Sequence, residues 1–426
     1  MTDTGGFEQD SSDEKPLLAV ENLQTHYPIT EGWLRREVGR VRAVDGITFS
    51  VDRGEVVGLV GESGSGKSTT AESILRLEEP TSGEIRFDGE EVTELTGREL
   101  QAFRRRAQLI VQDPNEAFSP RMSIGEAVAE PLRLHGMRDG RRRRRIVEDL
   151  LERVGLSADD ADRYPHEFSG GEKQRIGIAR ALVLNPDLIV ADEPTSALDS
   201  KVEADVLALL EEIRREYGIS ILFISHDIDT VRRFCDRVVV MYLGETVEKG
   251  PVDTVLDSPA HPYTRVLLGS VPSLDPTDRT LARPLTDTIP DPSDPPDGCR
   301  FHTRCPAIIP PEGVDLDREL WRAVARFRFT LQTGELPGEI ADGSPTRPST
   351  VRDVFDLPET IPEENVEAVV DEAITLFVDG NENRAAEVLA EGLPTVCERQ
   401  APRERTVDGQ QVRCHRYDPE TPGEPL

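Results

Sequence analysis

The sequence predicts an α/β fold organised around a phosphate-binding loop, on three observations. Gly61-Glu62-Ser63-Gly64-Ser65-Gly66-Lys67-Ser68 reads G-x-x-x-x-G-K-S. An apolar run at 55–60 precedes it as a strand, and 69–77 follows as the opening of a helix, which is the context the motif requires. A second apolar run, 187–191, ends in Asp192 and Glu193, as a buried parallel strand does when it delivers acids to its C-terminal edge.

The chemistry of the loop follows from its residue types. Gly61, Gly64 and Gly66 let the backbone bend so that successive N–H groups point into one concavity. The helix behind adds its positive N-terminal end. Lys67 reaches the β- and γ-phosphates and Ser68 offers a hydroxyl to Mg²⁺; Ser63, Ser65 and Thr69 join them as nucleotide-binding candidates. Asp192 suits a Mg²⁺–water contact and Glu193 suits polarising the attacking water.

The chain has 426 residues, enough for two or three domains. Its net charge of −31 excludes non-specific nucleic-acid binding, which needs a basic face. Only 5 of the 50 basic residues are lysine. Such a composition suits a high-salt cytoplasm, where screening suppresses self-repulsion, and equally an ordinary acidic protein with a GC-rich codon bias. The N-terminal residues form no secretory signal, and the longest apolar run, 238–243, has six residues where a membrane span needs about 20. The expectation is a soluble cytoplasmic chain that reaches a membrane only through partners.

In chain order, 1–16 reads as a disordered tail. Strands bounded by turns are expected from 17–27, at 44–49 and at 83–89. Leu109-Ile110-Val111 is a short strand running into Gln112. The stretch 113–170 turns helical and Arg-rich, and its run Arg141 to Arg145 reads as one solvated helix face rather than a docking patch. A strand at 219–224 delivers His226, which sits where a γ-phosphate can be reached.

Phe168-Ser169-Gly170-Gly171-Glu172-Lys173-Gln174-Arg175 resembles the L-S-G-G-Q signature of ABC transporter ATPases, placed before a helix at 173–184. The other motifs follow that family's order over 17–270. Gln112 resembles its Q-loop glutamine, the D-loop is matched by Ser196-Ala197-Leu198-Asp199, His226 resembles the switch histidine, and Tyr27 stands where an aromatic stacks on adenine. Glu172 replaces the usual glutamine, leaving phosphate contact by Ser169 and Gly171 intact. The resemblance implies ATP and Mg²⁺ as cofactors, with Ser68, Gln112 and Asp192 at the metal and Glu193, His226 and Gln112 in catalysis. It implies two ATPase subunits, identical or paralogous, facing head to tail. ATP lies between the phosphate loop of one and Ser169, Gly170, Gly171, Glu172 and Asp199 of the other. Two membrane permeases are driven by closure, with the chain peripheral at the cytoplasmic face.

The C-terminal region, 271–426, narrows this. His261-Pro262-Tyr263-Thr264 and then Gly298-Cys299-Arg300-Phe301-His302-Thr303-Arg304-Cys305-Pro306 resemble the tail of oligopeptide/dipeptide permease ATPases, of the peptide/nickel importers. That implies uptake of peptides or a related small solute delivered by a solute-binding protein. A soluble ABC ATPase in DNA repair or translation is the alternative, though such chains carry coiled coils or two cassettes. The stretch 312–395 reads as an acidic insertion, with Val366, Val369, Val370, Ala373, Ile374 and Phe377 on one helical face packing against its own neighbours. Four cysteines, Cys299, Cys305, Cys397 and Cys414, lie in this region. In a reducing cytoplasm such clustered thiols suit an iron–sulfur cluster or tetrahedral zinc, and the absent paired C-x-x-C favours the cluster; four unligated thiols remain the alternative.

Overall fold

The computed structural model describes residues 15–33, 36–114, 117–196, 198–269, 283–341, 347–421 and 425. Nearly all of the tail expected at 1–16, Ala197 of the D-loop stretch, and 270–282 of the C-terminal region therefore lie outside the described residues. The described residues fall into two compact units, one within Met1–Leu23, Thr48–Val56 and Glu72–Leu222, the other within Gln24–Ile47, Val57–Ala71 and Phe223–Leu426.

In the first unit, Ala107–Ile110 and Leu188–Asp192 run parallel, with Ile110 opposite Ala191, and Ser220–Ile224 neighbours Leu188–Asp192 on its other side. The last two are rich in Ile, Val and Leu and buried almost throughout, as parallel strands covered on both faces must be. The short strand begins two residues before the expected Leu109. Helices Ile124–Leu134, Gly140–Arg153 and Gly170–Leu182 pack together as the helical part. Each opens on a side-chain cap: Ser123 with Glu126, Asp139 and Ser169. The basic run lies on helix Gly140–Arg153, whose apolar side buries Val147 and Leu151. Arg144 there pairs with Glu148 and Asp162, the arrangement of a solvated face.

In the second unit, Val56–Val60 pairs in parallel with Arg237–Tyr242, Val60 opposite Val240. A tight turn at Leu243-Gly244 returns the chain as Glu245–Pro251, and Gln410–Arg413 adds antiparallel, Glu248 opposite Val412. The chain's C-terminal region thus extends the strand layer that carries the phosphate loop. Helix Glu364–Val378 buries Val366, Val370, Ala373, Ile374 and Phe377, the expected face, against helix Glu382–Gly392. Val369, also expected there, is only half-buried and packs so near Gly392 that a Cβ at 392 would lie 2.7 Å from it. No described helix is long and apolar enough to cross a membrane.

Candidate functional site

The second unit builds the phosphate loop. The buried strand Val56–Val60 ends at Gly61, and the chain turns through Gly64 at φ 80° and Gly66 at φ 101°. At Gly66 only glycine serves: the left-handed backbone disfavours a side chain, and a Cβ would meet the Ala43 carbonyl oxygen at 2.0 Å. The helix is Lys67–Ile74, so it opens two residues before the expected 69 and closes before 77. Arg76 in the left-handed region ends it, with Leu77 N–H donating back to the Glu72 carbonyl at 2.8 Å. Lys67 therefore sits in the first helical turn, among N–H groups with no intrahelical partner.

The loop has features that fit phosphate. Lys67 is buried, and its ammonium donates to the carbonyls of Gly61 at 2.9 Å and Glu62 at 3.0 Å. Ser65 Oγ is buried with no hydrogen-bond partner in the structure. Ser63, Gly64 and Ser68 are exposed and Thr69 half-buried. A cavity of about 710 Å³ opens beside Ser63 and Gly64, bounded across by 288–292. Tyr27 is half-buried on the strand Leu18–Glu31. The long stretch between Tyr27 and the loop is taken up by the neighbouring strand Arg36–Val51. His226 is exposed at the start of the turn into helix Ile228–Phe234.

Residues that sequence reading missed hold this loop from behind. Arg304 grips the Glu62 carboxylate with both guanidinium ends, at 2.7 and 3.1 Å. Tyr263 Oη accepts from the Glu62 N–H at 2.8 Å. Arg300 bonds the Leu243 carbonyl and pairs with Asp45 and with Glu245, the last at 3.2 Å. Burial alone would raise Asp45, but Arg300, helped by His26 at 2.9 Å, holds its carboxyl below the usual range. No spacing rule links positions 45, 62, 263, 300 and 304, so no sequence signal could have joined them.

The first unit carries the remaining candidates. Gln112 Nε2 donates to Glu193 Oε2 at 2.9 Å, so the glutamine and the expected base meet directly. Asp192 closes its strand, and Glu193 follows at φ 44°, a left-handed backbone that turns its side chain out of the strand direction. The signature differs from expectation. Ser169 is the N-cap and the helix Gly170–Leu182 begins at once, so Gly170 and Gly171 lie inside its first turn rather than before a helix at 173. Glu172 closes a capping box: its carboxylate accepts from the Ser169 N–H and hydroxyl, both at 2.8 Å. Phe168 is buried with Arg163 stacked on its ring at 4.3 Å. Asp199 caps helix Ser200–Tyr217, accepting from Lys201 and Val202 N–H at 3.2 Å.

Cys299, Cys305, Cys397 and Cys414 are gathered around one cavity of about 10 Å³, with His302 and His415 on its wall. Burial, then the neighbouring Cys397, Cys305 and Cys414, pushes the Cys299 thiol well above its ordinary value; burial pushes Cys397 up to about 12 and Cys414 up to about 11. Among the described residues, however, no group of three or more His, Cys, Asp or Glu could hold a metal ion. The four thiols thus share one wall, and neither the iron–sulfur nor the zinc expectation is carried by this geometry alone.

Comparison with known proteins matches three stretches of the chain. Residues 44–196 match the ABC transporter family and 247–310 the oligopeptide/dipeptide transporter C-terminal region, while 318–410 match a domain of unknown function. The oligopeptide transport ATP-binding protein AppF of Bacillus subtilis is 45% identical over 303 residues, 70% of this chain and 92% of the relative. A Brucella ovis relative that carries the name of a peptide import ATP-binding protein is 49% identical over 296 residues, 70% of this chain and 91% of its own. The ATP-binding cassette MJ0796, solved as a post-hydrolysis dimer with ADP and Pi, is 32% identical with a TM-score of 0.50, over 55% of this chain and 98% of the cassette.

Proposed function

The chain belongs to the ABC transporter ATP-binding family and is an ATP hydrolase; from that premise we propose that it powers uptake of di- or oligopeptides, or a related small solute. One observation carries the reading: the oligopeptide-type segment 298–306 belongs to the same unit as the phosphate loop and bonds to it directly. The family works as a dimer of ATPases on membrane permeases, which accounts for a chain without a membrane-spanning helix among its described residues. A solute-binding protein would hand the solute to those permeases, and the chain would sit at the membrane's cytoplasmic face.

The residue roles are part of the same proposal. Lys67, with the N–H groups of Gly64 and Gly66 and the hydroxyls of Ser63, Ser65 and Thr69, takes the nucleotide phosphates. Ser68, Gln112 and Asp192 are the groups that would hold Mg²⁺, which neutralises phosphate charge when bound. Glu193 takes a proton from the attacking water, with Gln112 fixing its carboxylate. His226 orients the γ-phosphate and Tyr27 covers the adenine. Ser169, Gly170, Gly171, Glu172 and Asp199 serve the nucleotide of a second subunit. The gathering of Cys299, Cys305, Cys397 and Cys414 around one cavity is what supports a metal centre there, an iron–sulfur cluster or alternatively zinc. The excess of acidic residues is the feature that supports a high-salt cytoplasm.

The test is reconstitution of the chain with its permeases in liposomes holding ATP and Mg²⁺. ATP-dependent uptake of labelled di- to pentapeptides, abolished by Glu193→Gln, is expected. Peptide-independent ATPase with no uptake of any peptide would overturn the transport reading. Iron and sulfide analysis after anaerobic purification tests the cluster, and thiols that all titrate freely in metal-free folded protein would remove it.

A further inference from the structure

Glu62 is the second residue of the phosphate loop, and the motif leaves its identity open. Here it is fixed at three points. Its carboxylate lies in the two-pronged grip of Arg304 and its N–H donates to Tyr263 Oη. Its carbonyl accepts from the Lys67 ammonium at 3.0 Å. Lys67 is thus one peptide unit away from a clamped side chain.

Arg304 is suited to be the fixed end. It is 4% exposed, and its guanidinium lies 5.7 Å from the Tyr242 ring centre and 5.8 Å from that of Phe301. Its Nε donates to the Thr286 carbonyl at 3.4 Å. A planar, always-charged fork stacked between rings keeps its direction, as a lysine on a flexible stem would not. The backbone around Arg304 is anchored in turn. It ends the short turn His302–Arg304 between Cys299 and Cys305, and Cys299 N–H donates to the Cys397 carbonyl at 2.7 Å.

A second arm reaches the loop from the same turn. Arg300 holds the Leu243 carbonyl, and the next residue, Gly244, donates its N–H to the Ser65 carbonyl at 3.0 Å. Gly244 in turn accepts from the Asp45 N–H at 2.8 Å, and Asp45 pairs with Arg300. Two arginines four residues apart thus address the two halves of the loop, Glu62 directly and Ser65 through the 243–244 turn.

We infer that Arg304 is a positioning residue for nucleotide binding: through Glu62 it sets the conformation in which the loop and Lys67 receive phosphate. It touches neither nucleotide nor reacting atoms, so its removal acts on capture rather than on the chemical step. The inference rests on the phosphate-binding role proposed for the loop. A charge-assisted two-pronged contact, transmitted in part, corresponds to about a tenfold change in affinity.

The experiment is ATP binding and steady-state hydrolysis by the full-length chain with Mg²⁺, using a fluorescent trinitrophenyl-ATP probe. Lys67→Ala is the reference for loss of phosphate grip. Arg304→Gln should raise Kd and KM for ATP about tenfold with kcat within about twofold, and Arg304→Lys, which keeps charge and one contact, should fall between. Glu62→Gln should shift Kd in the same direction. If Arg304 acts through Glu62, the double variant is no worse than Arg304→Gln alone, whereas additive effects would overturn the inference. A folded Arg304→Gln protein with unchanged Kd would overturn it too. So would a kcat loss matching the KM change. Should Arg304→Gln fail to fold, Glu62→Ala alone must give the rise, and an unchanged Kd there is equally fatal. Binding by the wild type that Lys67→Ala abolishes keeps the phosphate-loop reading intact whatever Arg304 does; absence of that binding would overturn both.

Discussion

Two glycine-rich loops open helices in this chain, and they are held in opposite ways. The loop 61–68 is gripped from outside: Arg304 and Tyr263 hold Glu62, Gly244 holds Ser65, and the Ala43 carbonyl leaves no room beside Gly66. The signature at 169–172 is closed by its own hydrogen bonds between Ser169 and Glu172, with Val202 packed so near that a Cβ on Gly171 would lie 2.4 Å from it. The first is shaped by residues up to 242 positions away. The hydrogen bonds that close the second join residues three positions apart. A loop braced by buried non-local contacts keeps its shape before ligand arrives, so its binding cost is paid in folding. A loop closed by a local box gives up only exposed hydrogen bonds to meet a new partner, which suits an element that serves a second subunit's nucleotide.

The largest effect expected separates both loops from the chemistry. Glu193→Gln keeps the contact geometry with Gln112 but removes the base, so turnover should fall about 10²–10⁴-fold while ATP still binds. Single-turnover kinetics beside equilibrium ATP binding is the measurement. A fall in affinity matching the fall in rate would mean that Glu193 belongs to binding. Next in size comes Lys67→Ala, which removes the one buried cation of the braced loop. ATP affinity should drop about 10–100-fold, the range for a hydrogen bond to a charged partner, with melting temperature altered little. Gly66→Ala should be worse for folding, because strain at φ 101° adds to the clash with Ala43. Calorimetry on the three proteins would rank them.

The same contrast explains what could be read from the sequence. The order of motifs, the buried strand Leu188–Asp192 and the apolar face of helix Glu364–Val378 follow from short-range periodicity, and they were legible. Helix starts were misplaced by two or three residues at both loops, since the glycines that signal a turn also lie in the first helical turn, as Gly170 and Gly171 do. The capping box was spelled out as Ser169-x-x-Glu172, yet Glu172 reads first as a departure from the signature rather than as a cap. The brace was illegible for a different reason. Arg300 and Arg304 look like any charged residues in a cysteine-bearing turn until the fold brings them to Asp45 and Glu62. Chain spacing leaves open whether the four thiols meet, because it carries no information about the distance between sulfurs; the fold brings them to one cavity.

Ser169→Ala should cost less than any of these and act locally. Losing the cap oxygen destabilises helix Gly170–Leu182 by about 1 kcal/mol, seen as faster amide exchange in its first turn. ATP affinity of the single subunit should stay within about twofold, while ATP-driven dimerisation weakens. A large loss of monomeric ATP affinity would break the division between the two loops.

The smallest effect concerns the charge that closes the signature. The Ser169 N–H, then its hydroxyl, holds the Glu172 carboxyl below its ordinary value of 4.5. A carboxylate with a lowered folded-state pKa contributes stability that is present above the unfolded value and lost as pH falls through the folded one. Wild type should therefore show first-turn protection in Gly170–Leu182 at pH 6–7 that fades below about pH 4.5. Glu172→Gln keeps an acceptor oxygen for Ser169 but carries no charge, so its protection should be weaker at neutral pH and should not fade over that range. The two proteins should converge in acid. Amide exchange of residues 171–173, taken as the ratio between wild type and variant at each pH to cancel intrinsic exchange, is the readout. For the loop 61–68 that ratio should stay constant, since nothing in its brace depends on Glu172. If the ratio stayed constant down to pH 3, the box would be held by its geometry alone, and the signature would be as preset as the phosphate loop.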